Sequence, residues 1–155
     1  MISQINDNKP VKIIYYFNKV NAFKKLIKKY NNLDLLILIR NKKDIYLFTD
    51  KNFQIFKDYF IYENKKYKYL TIHCSKGLES KYVIILKLEN SLLGIPNKLE
   101  DHPIIKFIAS DIDNFLYAEE RRLFFVALTR CKKEVILLTD FINPSPFVKE
   151  IKKFL

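Results

Sequence analysis

The chain of 155 residues has no tryptophan, one methionine, and only two glycines, two cysteines and two histidines. Each scarcity excludes something. Cys74 and Cys131 stand far apart without CxxC spacing, so the sequence shows no zinc ribbon and no disulfide scaffold; they read as reduced thiols. His73 and His102 are isolated and build no metal cluster. No run of about 18 apolar residues occurs, so no membrane span is expected. The opening MISQINDNKPVK lacks the apolar core of a secretion signal, and Met1 reads as a natural start; the expected location is the cytoplasm. Two absences bear on chemistry. There is no GxxxxGK[ST] phosphate loop, and no apolar strand ends in paired acids able to hold magnesium.

What is present is apolar bulk and positive charge. Hydrophobic residues make up 49% of the chain, enough for the core of one α/β domain. The net charge of +11 suits a phosphate backbone, which a basic surface attracts through counterion release. The abundance of Lys, Asn, Ile, Tyr and Phe is also what an AT-rich genome would impose on any protein, so charge alone does not decide. Against twenty-four lysines stand four arginines: Arg40, Arg121, Arg122 and Arg130. Three of them share one ten-residue window, which marks it as a place where a planar, permanently charged fork is wanted.

Hydrophobic patterning predicts strands over Val11–Phe17, Leu33–Ile39, Lys68–His73, Tyr82–Leu88 and Glu134–Thr139. It predicts helices over Lys19–Tyr30, Ala118–Arg130 and Pro146–Leu155, and a short one over Asn52–Phe60. Residues 89–114 read as looser chain. The alternation implies an α/β fold with a parallel sheet covered by helices on both faces, as one domain spanning 1–155. Ligands of such sheets gather at the C-terminal strand ends, where both Arg40 and CSKGLE are expected to lie.

Two segments carry candidate chemistry. In LTIHCSKGLE (70–79), Thr71 and His73 alternate along a strand, share a side and can hold a nucleic-acid phosphate. Gly77 answers a backbone need, such as close approach to a phosphate, and Glu79 can accept from a ribose hydroxyl. The plain alternative is a strand-turn with a satisfied histidine. In AEERRLFFVALTR (118–130), Glu119 and Glu120 suit the helix start, Arg122 can pair with Glu119, and Phe124, Ala127, Leu128 and Cys131 form an apolar stripe. Arg130 stands where it can reach out toward a phosphate held by a partner domain. The plain alternative is an amphipathic helix with weak surface ion pairs.

Together and in this order, the two segments resemble motifs V (about 69–80) and VI (about 118–131) of superfamily 1 DNA helicases of the UvrD/Rep type. LLILIRNKKD is similar to the strand-plus-Arg segment upstream of motif V. LEDHPIIKFI and NPSPFVKEI look most like the helicase IV branch of that family. The resemblance implies an N-terminally truncated second RecA-like motor domain. Arg130 would be the catalytic arginine finger. Gly77, Glu79 and Arg130 would meet ATP, while Thr71 and His73 would meet DNA. Glu119, Glu120, Arg121 and Arg122 would brace motif VI. Phe125 stands where the family often has Tyr, and Cys131 where it often has Ala.

The implied partners are single-stranded or partly duplex DNA and a first motor domain carrying the phosphate loop. ATP and Mg2+ are expected only in that two-domain assembly, and neither is expected on this chain alone. The resulting expectation is an ATP-dependent DNA helicase half, inactive by itself. A non-catalytic nucleic-acid-binding module, or a remnant of a truncated gene, is the alternative.

Overall fold

A computed structural model describes residues 10–98 and 117–155. The strands are β1 (Val11–Tyr16), β2 (Leu35–Ile39), β3 (Phe53–Ile55), β4 (Tyr59–Tyr62), β5 (Lys65–Thr71), β6 (Ser80–Leu88) and β7 (Cys131–Asp140). The helices are α1 (Lys19–Lys29), α2 (Ile45–Phe48), α3 (Ala118–Leu128) and α4 (Pro146–Lys152). One seven-stranded sheet runs in the order β1-β7-β6-β2-β5-β4-β3. The first five strands are mutually parallel. The last two join antiparallel, so the expected α/β sheet is mixed at one edge. Among the described residues no helix is long and apolar enough to cross a membrane.

The apolar strand runs follow from two buried faces. Along β2, Ile37 and Ile39 enter one core while Leu36 and Leu38 enter the other. Phe23, Leu26 and Ile27 of α1 and Phe48 of α2 close the first layer. Leu123, Phe124 and Ala127 of α3 and Phe147 and Val148 of α4 close the second. Asn18 caps α1 by accepting from the Asn21 N–H at 3.0 Å.

One expected helix is absent. Residues 52–60 form β3 and the start of β4, not a helix. The spacing of Phe53, Phe56 and Phe60 suits a helical stripe, but pairing across the hairpin serves the core better. Phe53 stacks on Tyr62 at 4.3 Å, and Phe60 on Tyr67 at 5.2 Å. Both Phe53 and Phe60 also meet Phe23 of α1. The next turn, Glu63-Asn64, has φ of 48° and 61°, the two positive values that a tight right-twisted hairpin demands.

Two buried ion pairs fasten the loop after β2 to its surroundings. Under one face, Lys87 donates to Asp44 at 2.9 Å, with both side chains 8% exposed. Lys87 has φ of 59° at a register shift in β6, so a bulge aims it there. Asp44 also accepts from the Asn41 N–H at 3.1 Å. Over the other face, Arg40 binds Glu120 of α3 at 2.8 Å. Gly94 is required by space: a Cβ would stand 2.1 Å from the Glu89 carbonyl oxygen. Lys87→Met strands the Asp44 carboxylate in the core and is expected to cost about 3 kcal/mol in urea unfolding. A loss below about 1 kcal/mol would mean that the pair is hydrated.

Candidate functional site

The site is built around one connection. Between Thr71 at the end of β5 and Ser80 at the start of β6, the chain passes over β2 in the eight residues 72–79. A parallel crossover commonly takes a dozen or more residues and a helix. This one is too short for a helix, so its polar groups need other partners. The Ile72 N–H extends the β2–β5 ladder by bonding Ile39 O at 2.9 Å. Residues His73–Ser75 make a 3-10 turn, closed by Ser75 Oγ on Ile72 O at 2.6 Å. Ile72 and Ser75 are buried, which holds the connection on the α3 face of the sheet.

The crossover starts at one strand edge and ends at the other, and this corrects two expectations. Thr71 and His73 do not alternate along one strand. β5 ends at Thr71, Ile72 is helical in backbone, and His73 opens the 3-10 turn with its side chain exposed. Thr71 Oγ1 instead accepts from the Cys74 N–H at 3.3 Å. Nor do Arg40 and all of CSKGLE share the C-terminal edge. Arg40, Thr71 and His73 lie there, whereas Glu79 lies at the opposite edge, beside the starts of β6 and β7. Gly77 has φ of 80°, and a Cβ there would meet nothing within 4 Å. The glycine answers a backbone angle and leaves open space in front of it.

Arg130 ties the far end of the crossover to α3. α3 ends at Leu128 and β7 begins at Cys131, two to three residues earlier than the helical stripe suggested. The Arg130 carbonyl accepts from the Ser80 N–H at 2.9 Å. Its guanidinium does not reach outward. It turns back on the crossover, with Nη1 at 3.5 Å from Ser75 O and 3.4 Å from Leu78 O. Nε lies 3.2 Å from Val126 O, and Nη2 lies 3.3 Å from Thr129 Oγ1. These are long bonds, individually weak, so the head group is parked rather than locked.

Glu79 beside it is half exposed and meets Lys132 at 3.7 Å. A groove of about 400 Å³ opens next to Glu79, walled by Leu36, Leu78, Lys66 and Lys68.

The four residues at the head of α3 brace it in different ways. Glu120 is 1% exposed and takes Arg40 on Oε1 and the Asn97 N–H on Oε2 at 2.9 Å. Arg121 forks onto Glu150 of α4 at 2.5 and 2.8 Å while its guanidinium covers Phe147 at 4.9 Å. That guanidinium holds the Glu150 carboxyl below the usual range. Glu119 and Arg122 pair on the surface at 3.1 Å, where the bond adds little. The sequence singled out Arg40 by its place after a strand, but nothing in the pattern identified Glu120 as its partner. Asp34 was missed altogether. It accepts from Ser80 Oγ at 2.6 Å and the Lys81 N–H at 3.0 Å, fixing the end of the crossover to the start of β2.

A mixed α/β sheet with this short crossover, stitched by Arg130 to the end of α3, defines the class as an α/β domain with helices on both faces of the sheet. The chain belongs to the UvrD-like helicase C-terminal domain family, whose model matches residues 54–140. It is 40% identical over 84 residues to DNA helicase IV of Escherichia coli (strain K12), covering 54% of this chain and 12% of that protein. It is 35% identical over 97 residues to ATP-dependent DNA helicase PcrA of Staphylococcus aureus (strain Mu50 / ATCC 700699), covering 56% and 12%. The matched part thus spans a small fraction of the length of these relatives. The crystal structure of the C-terminal domain of a possible DNA helicase from Lactobacillus plantarum WCFS1 shares the fold. The TM-score is 0.56 at 15% identity, over 92% of this chain and 80% of that one. The stretch LEDHPIIKFI falls outside the described residues.

The Asp34 contacts give a pH test. The Ser80 hydroxyl, then the Lys81 N–H, hold the Asp34 carboxyl below its ordinary range. A depressed folded value means the stabilisation is present above the unfolded carboxylate pKa and is lost as pH falls through the folded one. The stability gap between wild type and Asp34→Asn should therefore hold at neutral pH and close below about pH 4. A gap independent of pH down to acid unfolding would contradict the assignment.

Proposed function

We propose that this domain is the second motor half of an ATP-dependent DNA helicase or translocase, working with a first domain that carries the phosphate loop. The observation that carries the reading is the crossover of residues 72–79. It joins Thr71 and His73 at one strand edge to Glu79 at the other, and Arg130 hydrogen-bonds its carbonyls in between.

The residue chemistry fits a nucleoside triphosphate at the second edge. Gly77 leaves open space. The half-exposed Glu79 carboxylate is available to accept from a ribose hydroxyl. Arg130 supplies a cation held only by long bonds. ATP, when bound between the two domains, supplies the phosphoryl group whose transfer drives the motor, and Arg130 is the arginine finger. The Mg2+ that accompanies ATP would be held by the first domain, with the phosphate loop.

Reorienting the Arg130 guanidinium toward a phosphate removes donors from Ser75 O and Leu78 O. That loosens the crossover and, through the 3-10 turn, the position of His73 against the DNA strand. Glu120, Arg121 and Asp34 keep the flanking elements still while this happens. The location implied is the cytoplasm.

The polypeptide of these 155 residues is expected to show no ATP turnover alone. Grafted in place of the matching segment of E. coli DNA helicase IV, it should support DNA-stimulated hydrolysis. Arg130→Ala in that graft should lower kcat about a thousandfold. DNA-stimulated hydrolysis by the isolated polypeptide, or a graft indifferent to Arg130→Ala, would contradict the reading. DNA binding by a graft that never hydrolyses ATP would favour the non-catalytic binding module.

A further inference from the structure

We propose that the face of β5, β4 and β3 turned away from α1, together with the groove beside the crossover, docks an acidic segment of a partner protein that carries aliphatic anchors. The lysines of this face, Lys66 and Lys68, lie outside both motif segments.

Phe53, Phe60, Tyr62, Tyr67 and Tyr69 fill the core under α1. The residues that alternate with them, Gln54, Tyr59, Ile61, Lys66 and Lys68, point to the opposite face. Helices α3 and α4 close that face over the other strands. Among the described residues, their apolar layer reaches this part of the sheet only at Leu70 of β5, and β3 and β4 give nothing to it. Three strands are thus packed on one side and open on the other, with Gln54, Lys66 and Lys68 exposed.

The open face runs into the groove of about 400 Å³. Leu33, Leu36 and Leu78 line it, and Leu33 and Leu78 are 46% and 37% exposed. Exposed aliphatic side chains around a concavity suit an apolar anchor from a partner. In sheet register Lys68 is flanked by Leu36 and Tyr59, and Lys66 faces Ile61. Among the described residues neither ammonium is paired with a carboxylate. The Lys66 ammonium lies 4.1 Å over the Tyr59 ring, and Phe56 stacks on that ring at 4.6 Å, so the cation is steadied over the open face. The two acids that line the groove are engaged elsewhere. Asp34 takes the Ser80 hydroxyl and the Lys81 N–H, and Glu79 meets Lys132.

Charge and shape together select the occupant. Ammoniums without carboxylates suit an acidic segment, and the aliphatic groove suits an aliphatic side chain beside the acids. A DNA backbone supplies the anion but no aliphatic group. A second copy of the chain, at net charge +11, brings the wrong sign.

A random-peptide phage library panned on the full chain should yield peptides that place Asp or Glu beside Leu or Ile. Synthesised with a fluorescein label, such a peptide should bind wild type in an anisotropy titration and weaken as salt rises. Lys66→Glu, Lys68→Glu and Leu33→Ser should each weaken it about fivefold or more. Lys25→Glu, the same charge change on α1, should leave it unaltered. All four side chains are exposed, so the variants should melt with wild type. None of them touches His73, Glu79 or Arg130, so the outcome is independent of the motor reading. Selection of peptides without acids, or of none that depends on Lys66 and Lys68, overturns the proposal. So does equal weakening by Lys25→Glu, which would trace binding to net charge. If duplex DNA displaces the peptide and Lys68→Glu weakens the duplex equally, the face belongs to nucleic acid and the proposal fails. Dissolution of a dimer by Leu33→Ser without peptide binding would assign the face to a second copy of the chain, with the same result.

Discussion

A parallel connection eight residues long must cross the sheet without a helix to satisfy its backbone. Everything distinctive about this domain depends on how that is done. One end continues the β2–β5 ladder through the Ile72 N–H. The middle closes on itself through Ser75. The far end is held by Asp34, by the Arg130 carbonyl and by the Arg130 guanidinium. Most of these partners come from elements distant in sequence, so the crossover is only as firm as the packing of α3 and β2 around it.

That packing is fixed by charge as well as by apolar layers. Arg40 and Glu120 are 9% and 1% exposed, and Lys87 and Asp44 are 6% exposed each by residue. Buried pairs of this kind add little net stability over apolar substitutes, but either partner left alone is costly. Their effect is to fix register. One pair holds the head of α3 over the end of β2, and the other holds the loop after β2 under β6. The surface pairs Glu119–Arg122 and Glu79–Lys132 are exposed and leave the site free to rearrange.

The paired apolar faces of β2, β6 and β7 were legible because both sides of each strand are buried, which writes continuous runs into the sequence. Helix α1 was legible through its Lys/apolar stripe. Residues 52–60 were not, because three phenylalanines spaced for a helix serve a hairpin just as well, and only the Phe23 contacts decide between them. For the site, the residues were identifiable by type and order, but their arrangement was not. Arg40 and CSKGLE read as sharing the C-terminal strand ends, but the crossover carries Glu79 to the opposite edge. His73 left its strand because the chain turns at Ile72 into the 3-10 turn His73–Ser75 that begins the crossover. Arg130 read as an outward finger, yet the Ser75 and Leu78 carbonyls of the short crossover draw its guanidinium inward.

Coupling between the ATP face and the DNA edge requires that the crossover respond to Arg130. Amide hydrogen exchange on the full chain measures this directly. In Arg130→Ala, the amides from Cys74 to Leu78 should exchange faster than in wild type, while those of β2, β6 and β7 stay protected. Unchanged protection across residues 74–78 would mean that the arginine lies against the crossover without holding it, and would contradict the account.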